Sequence, residues 1–151
     1  MKIVVTDSGS LKSHNDLSLH VLNQFGTVVE YAGITREELL KEVVDTDVLL
    51  CNKTVIDREV MSVGNTLKYV GLFATGYNNI DIDCAKEKGI PLEYNLLGQR
   101  TNRHYPCKRF FSLVADEGAP VVIASDAHEP DRVAHPDELL KAYHFLNELG
   151  I

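Results

Sequence analysis

Basic residues are in short supply: 15 Lys and Arg stand against 22 Asp and Glu, a net charge of −7. No basic face is therefore available to neutralise the phosphates of a nucleic acid. Cysteines are few as well. Cys51, Cys84 and Cys107 form an odd, scattered set without CxxC spacing, which argues against a disulfide framework or a zinc knuckle. Reduced thiols in a cytoplasmic protein are the expectation. Long apolar runs are missing, since nothing approaches the roughly 20 residues that span a bilayer. The first residues read as a strand rather than a signal peptide, and neither membrane nor nucleic acid is an expected partner. Linkers and low-complexity stretches are absent. What remains is a chain of 151 residues, 44% hydrophobic and 25% charged, enough for one core and too ordered in composition for disorder.

Short β-branched runs alternate with segments of helical period. Met1–Asp7, Thr27–Tyr31, Val48–Cys51 and Lys68–Ala74 read as four strands. Between them, Leu17, Val21, Leu22 and Phe25 fall on one helical face closed by Gly26. Thr35 and Glu38 form a capping box ahead of Leu39, Leu40, Val43 and Val44. A weaker helix lies near Asp57 to Met61, and Asp81 caps another over Ile82 to Lys88 that Gly89 stops. The rhythm continues with a strand over Pro91–Asn95, a polar loop over Leu96–Tyr105, and a helix opened by Pro106 with Phe110, Leu113 and Val114 as core. A strand over Pro120–Ala124 precedes a last helix opened by Pro136, striped by Leu139, Leu140, Tyr143, Leu146 and Leu149. Six βα units predict a single α/β domain, 1–151: an open doubly wound parallel sheet of flavodoxin type, order 2-1-3-4-5-6. Such a sheet leaves two edges, and an exposed edge could pair with a second copy in a homodimer.

The string Ala74-Thr-Gly-Tyr-Asn-Asn-Ile-Asp-Ile-Asp83, followed by Ala85 and Gly89-Ile-Pro91, carries a specific likeness. With Leu50-Cys-Asn-Lys-Thr54 and Leu67-Lys-Tyr-Val-Gly71, residues 1–91 resemble the substrate-binding domain of the D-2-hydroxyacid dehydrogenases. The resemblance implies that backbone N–H groups at Thr75 and Gly76 receive the substrate carboxylate, and a tight glycine loop can bring amides to an anion. No GxGxxG fingerprint occurs in the chain, so the resemblance is not accompanied by a dinucleotide cradle. Ser8-Gly9-Ser10, where flavodoxins hold a flavin phosphate, is a weak signal. Asn52 stands where a receiver domain would need a phosphorylated Asp.

Leu92-Glu-Tyr-Asn95, Gly98-Gln-Arg100, His104-Tyr-Pro106 and Val121-Val-Ile-Ala-Ser-Asp-Ala-His128 resemble something different. They are similar to the last two βα units of histidinol-phosphate phosphatases of the polymerase-and-histidinol-phosphatase family. That resemblance implies metal ligation by Asp126 and His128 and phosphate contact by Arg100, with His104 and His135 as further candidates. Two ligands two residues apart do not close a catalytic metal site. The sequence-based expectation is a chimera joined near residue 92, engineered or recombined, with no native catalytic function and no cofactor. Its alternatives are a remnant metal-dependent phosphatase with a weak divalent metal, and a small carboxylate- or anion-binding module.

Overall fold

A computed structural model describes residues 1–12, 18–73, 78–103, 106–127, 131, 133 and 135–151. They form two compact units, Met1–Ile90 and Pro91–Ile151.

The first unit is a parallel sheet of β1 (Lys2–Val5), β2 (Thr27–Glu30), β3 (Val48–Cys51) and β4 (Tyr69–Leu72), in the order β2-β1-β3-β4. This is the doubly wound α/β arrangement and the order expected for its first four strands. Position follows composition. Ile3, Val4 and Val5 are fully apolar and lie at 2%, 0% and 0% exposure in a strand paired on both sides, whereas edge strand β2 is half-buried.

Helices α1 (Arg36–Glu42), α2 (Arg58–Val63) and α3 (Ile82–Glu87) bury Leu39, then Val60 and Met61, then Cys84 and Ala85. Each begins at a side-chain cap. The Thr35 hydroxyl accepts from the Glu38 N–H while the Thr35 N–H donates to Glu38 Oε2, a reciprocal pair. Asp57 and Asp81 accept from the N–H groups of Val60 and Cys84. Gly89 ends α3 at φ +65, and its N–H and that of Ile90 donate to the carbonyls of Lys86 and Ala85.

The expected helix over Leu17–Phe25 is corrected. Leu17 lies outside the described residues; the described part holds a 3₁₀ turn, His20–Gln24, flanked by buried Leu19, while Val21 and Phe25 are 62% and 59% exposed. Apolar spacing over so short a stretch specifies a face only when packing against the sheet claims it.

The second unit pairs β5 (Leu92–Asn95) with β6 (Val121–Ala124) in parallel, with α4 (Leu96–Arg100), α5 (Lys108–Asp116) and α6 (Pro136–Glu148). The expected neighbours β5 and β6 pair, in a two-stranded sheet of their own; the expected 4-5 pairing is not among the observed ones. An apolar run identifies a buried strand without naming its neighbour, which is a long-range choice. Tyr94, Phe111 and Phe145 meet at centroid distances of 5.2–5.9 Å over Val114, Ala142 and Leu146.

Three readings are corrected in this unit. The polar loop after β5 opens with α4, because the Asn95 side chain accepts from the Gly98 N–H and Leu96 turns inward at 1% exposure. On α5 the core face is Phe111 and Val114, not Phe110 and Leu113, which are 38% and 54% exposed. On α6, Ala142 and Leu146 are buried while Leu140 and Tyr143 are 57% and 56% exposed. A two-stranded sheet is too narrow to cover a wide helical stripe.

Cys51 and Cys84 are buried and Cys107 is exposed. Burial and the Asp7 charge push the Cys51 thiol up to about 12, and burial also raises Cys84. Native protein is therefore expected to react with maleimide at Cys107 alone, and denatured protein at all three. Mass spectrometry of peptides labelled before and after urea checks this; rapid native labelling of Cys51 would contradict it.

Candidate functional site

Ligands of open α/β sheets gather beyond the carboxyl ends of the strands. At that edge of the first unit, β1 runs into Thr6, Asp7 and Ser8, all buried. Asp7 is 8% exposed, and its carboxylate accepts hydrogen bonds from three consecutive backbone N–H groups: Asn52 at 2.8 Å, Lys53 at 2.5 Å and Thr54 at 2.9 Å. Desolvation pushes this carboxyl upward, but the Lys53, Asn52 and Thr54 amides prevail and hold it below the usual aspartate value. Three successive amides converging on one point make an anion nest, and here the anion is the chain's own.

The segment after β3 is tied in turn to the segment after β4. The Phe73 N–H donates to the Cys51 carbonyl at 2.8 Å, and the Ile56 N–H to the Asn79 carbonyl at 2.8 Å. Asn79 Nδ2 donates to the Thr54 carbonyl at 2.8 Å, and the Asp81 N–H to Ile56 at 3.0 Å. Both described flanks of residues 74–77 are thus fastened to the strand that Asp7 holds. Thr75 and Gly76, the carboxylate-binding residues implied by the sequence, lie outside the described residues.

The other site residues fall in the second unit. Arg100 Nη1 pairs with Glu138 Oε2 at 3.0 Å, with side chains 21% and 10% exposed, and Gln99 Nε2 donates to the Glu138 carbonyl. This arginine joins α4 to α6 through its Nη1. Asp126 sits just past β6 at φ +42 and accepts from Asn95 Nδ2 at 3.2 Å; the same amide donates to Glu93 at 2.9 Å. Burial pushes the Glu93 carboxyl up, Asn95 opposes this, and the Asp126 charge adds to the push. His128 and His104 lie outside the described residues, and His135 precedes α6 as its N-cap. Among the described residues, no group of three His, Cys, Asp or Glu side chains could hold a metal ion. No described helix is long and apolar enough to cross a membrane.

The Asp7 cluster was missed in sequence reasoning. Its signal was an acid ending a fully apolar central strand, because a buried carboxylate must find donors.

The turn after β1 does not fit a nucleotide phosphate. The Ser8 and Gly9 N–H groups donate to the Tyr31 and Ala32 carbonyls, and a Cβ on Gly9 would stand 2.7 Å from the Ala32 oxygen. The space that glycine leaves is filled by backbone, and the amides of 52–54 already hold Asp7.

The chain resembles several known proteins. A hydroxypyruvate reductase of Blautia hydrogenotrophica is 40% identical over 95 residues, 61% of this chain and 29% of that protein. A D-3-phosphoglycerate dehydrogenase of Methanocaldococcus jannaschii is 38% identical over 91 residues, 60% of this chain and 16% of that protein. The chain therefore spans under a third of the length of these relatives. Among solved structures, NAD+-bound 3-phosphoglycerate dehydrogenase of Entamoeba histolytica is 26% identical with a TM-score of 0.48, covering 60% of this chain and 31% of its own.

These likenesses overturn the expectation of a chimeric scaffold without native catalytic function, together with its phosphatase and free-standing anion-module alternatives. They also correct the expectation of no cofactor, because a dehydrogenase family relies on a nicotinamide to carry hydride. The family described as D-isomer specific 2-hydroxyacid dehydrogenase, catalytic domain, matches residues 3–94, from the first strand through the two fastened loops to β5, and the chain belongs to it.

Proposed function

We propose that the first unit serves the substrate side of a 2-hydroxyacid dehydrogenase, receiving the carboxylate of a 2-hydroxy or 2-oxo acid at the carboxyl edge of its sheet. The observation that carries this reading is the family match over residues 3–94, which includes both the Asn52–Thr54 and the Thr75–Gly76 segments. Thr75 and Gly76 would supply the amides for that carboxylate. The nest at 52–54 is occupied by Asp7, so those amides are already taken. The family reading implies a nicotinamide, NAD(P), as the hydride carrier of the whole enzyme.

Thermal unfolding of the full chain tests the reading. Millimolar hydroxypyruvate is expected to raise Tm, because a ligand that binds only the folded state stabilises it. Dihydroxyacetone, a neutral analogue without the carboxylate, is expected to leave Tm unchanged. No response to hydroxypyruvate, or an equal response to both, would contradict the proposal.

A further inference from the structure

We propose that Asp7 is a positioning residue: its carboxylate, seated on the amides of Asn52, Lys53 and Thr54, sets the Thr54 carbonyl where Asn79 meets it, and thereby fixes both described flanks of residues 74–77. The inference rests on the dehydrogenase-family reading of that edge. Its geometry is a continuous relay of short hydrogen bonds. Asp7 Oδ2 accepts from the Thr54 N–H at 2.9 Å, the Thr54 carbonyl accepts from Asn79 Nδ2 at 2.8 Å, and Phe73 reaches the Cys51 carbonyl on the same strand end.

The chemistry requires a carboxylate. Three N–H donors face one side chain, and asparagine would turn its own N–H₂ toward some of them, donor against donor. Asp7 also has an excluding role. An empty nest of three amides would compete for any small carboxylate, and a nest filled from within leaves the substrate anion to the adjacent loop. Asp7 touches no substrate in this account; it acts through Thr54 and Asn79.

The test uses the full ¹⁵N-labelled chain as wild type, Asp7→Asn, Asp7→Ala and Asn79→Ala, titrated with hydroxypyruvate. Asp7→Asn and Asn79→Ala are each expected to weaken binding by roughly tenfold, the effect of losing one hydrogen bond to a charged or buried partner. In Asp7→Ala the amide resonances of Asn52–Thr54, Phe73 and Asn79 should move, and excess formate, which fits the vacated nest, should return them toward wild type. A purely structural role would leave the hydroxypyruvate affinity of folded Asp7→Asn and Asn79→Ala at the wild-type value, whatever formate does. Resonances of Phe73 and Asn79 that stay in place in Asp7→Ala would overturn the proposal. If the Asp7 variants do not fold, Asn79→Ala decides it, because wild-type affinity in that variant also overturns it. A wild type that ignores hydroxypyruvate would instead overturn the functional reading beneath, and this inference with it.

Discussion

Asp7→Ala is expected to lose about 3 kcal/mol of stability at neutral pH, the effect of stranding buried donors that had bonded a charge. Three backbone N–H groups lose their acceptor at once, at a position only 8% exposed, where water replaces the carboxylate poorly. Asp7→Asn keeps the volume and one acceptor oxygen and should lose less. The pH dependence has a definite sign. The folded carboxyl lies below the usual value of 3.8, so its contribution is fully present above that value. It is lost as the pH falls through the lower, folded value. Urea unfolding of wild type and Asp7→Asn should therefore show a stability gap that is constant near neutrality and narrows in acid below 3.8. A gap that persists unchanged into that range would mean that the carboxylate is not what the amides hold.

A comparable loss is expected in the second unit from Phe111→Ala, about 4 kcal/mol, the range for removing a buried aromatic and leaving a cavity. Phe111 is 2% exposed and meets both Tyr94 and Phe145, so its removal strips two aromatic contacts as well as area. With only two strands in the sheet, little else can close the void. Phe110→Ala, one residue earlier and 38% exposed, is the matched control and should fall within about 1 kcal/mol of wild type. Amide hydrogen exchange of β5 and β6 reads the difference. Equal protection in the two variants would contradict the assignment of Phe111 to the core.

Much of the first unit was legible in the sequence. The apolar runs over Ile3–Val5 and Val48–Cys51, the Thr35 capping box and the Asp81 cap are local signals, and local chemistry decides them. The misreadings share a different cause. Phe110 and Phe111 are adjacent on a helix, and only the position of β5 and β6 decides which turns inward. Whether β5 extends the first sheet or pairs with β6 alone is likewise a long-range matter that periodicity does not encode. Asn95 capping α4 was a readable signal, hidden by the polar residues that follow it.

The site divides the same way. The string around Thr75 and Gly76 was recognisable by likeness, and it lies within the stretch that the family matches. The Asp7 clamp was not, because its partners are backbone amides contributed 45–47 residues later, and amides carry no sequence signature. Arg100 shows the converse: a residue singled out for phosphate by likeness stands half-buried against Glu138, where it joins two helices.

The most direct measurement is a residue-resolved ¹H–¹⁵N titration of the wild-type chain with hydroxypyruvate. Saturable shifts centred on Asn52–Thr54 and the 73–80 segment are the predicted result. Shifts that concentrate instead around Asn95 and Asp126, or a spectrum that does not respond at all, would contradict a substrate carboxylate at the carboxyl edge of the first sheet.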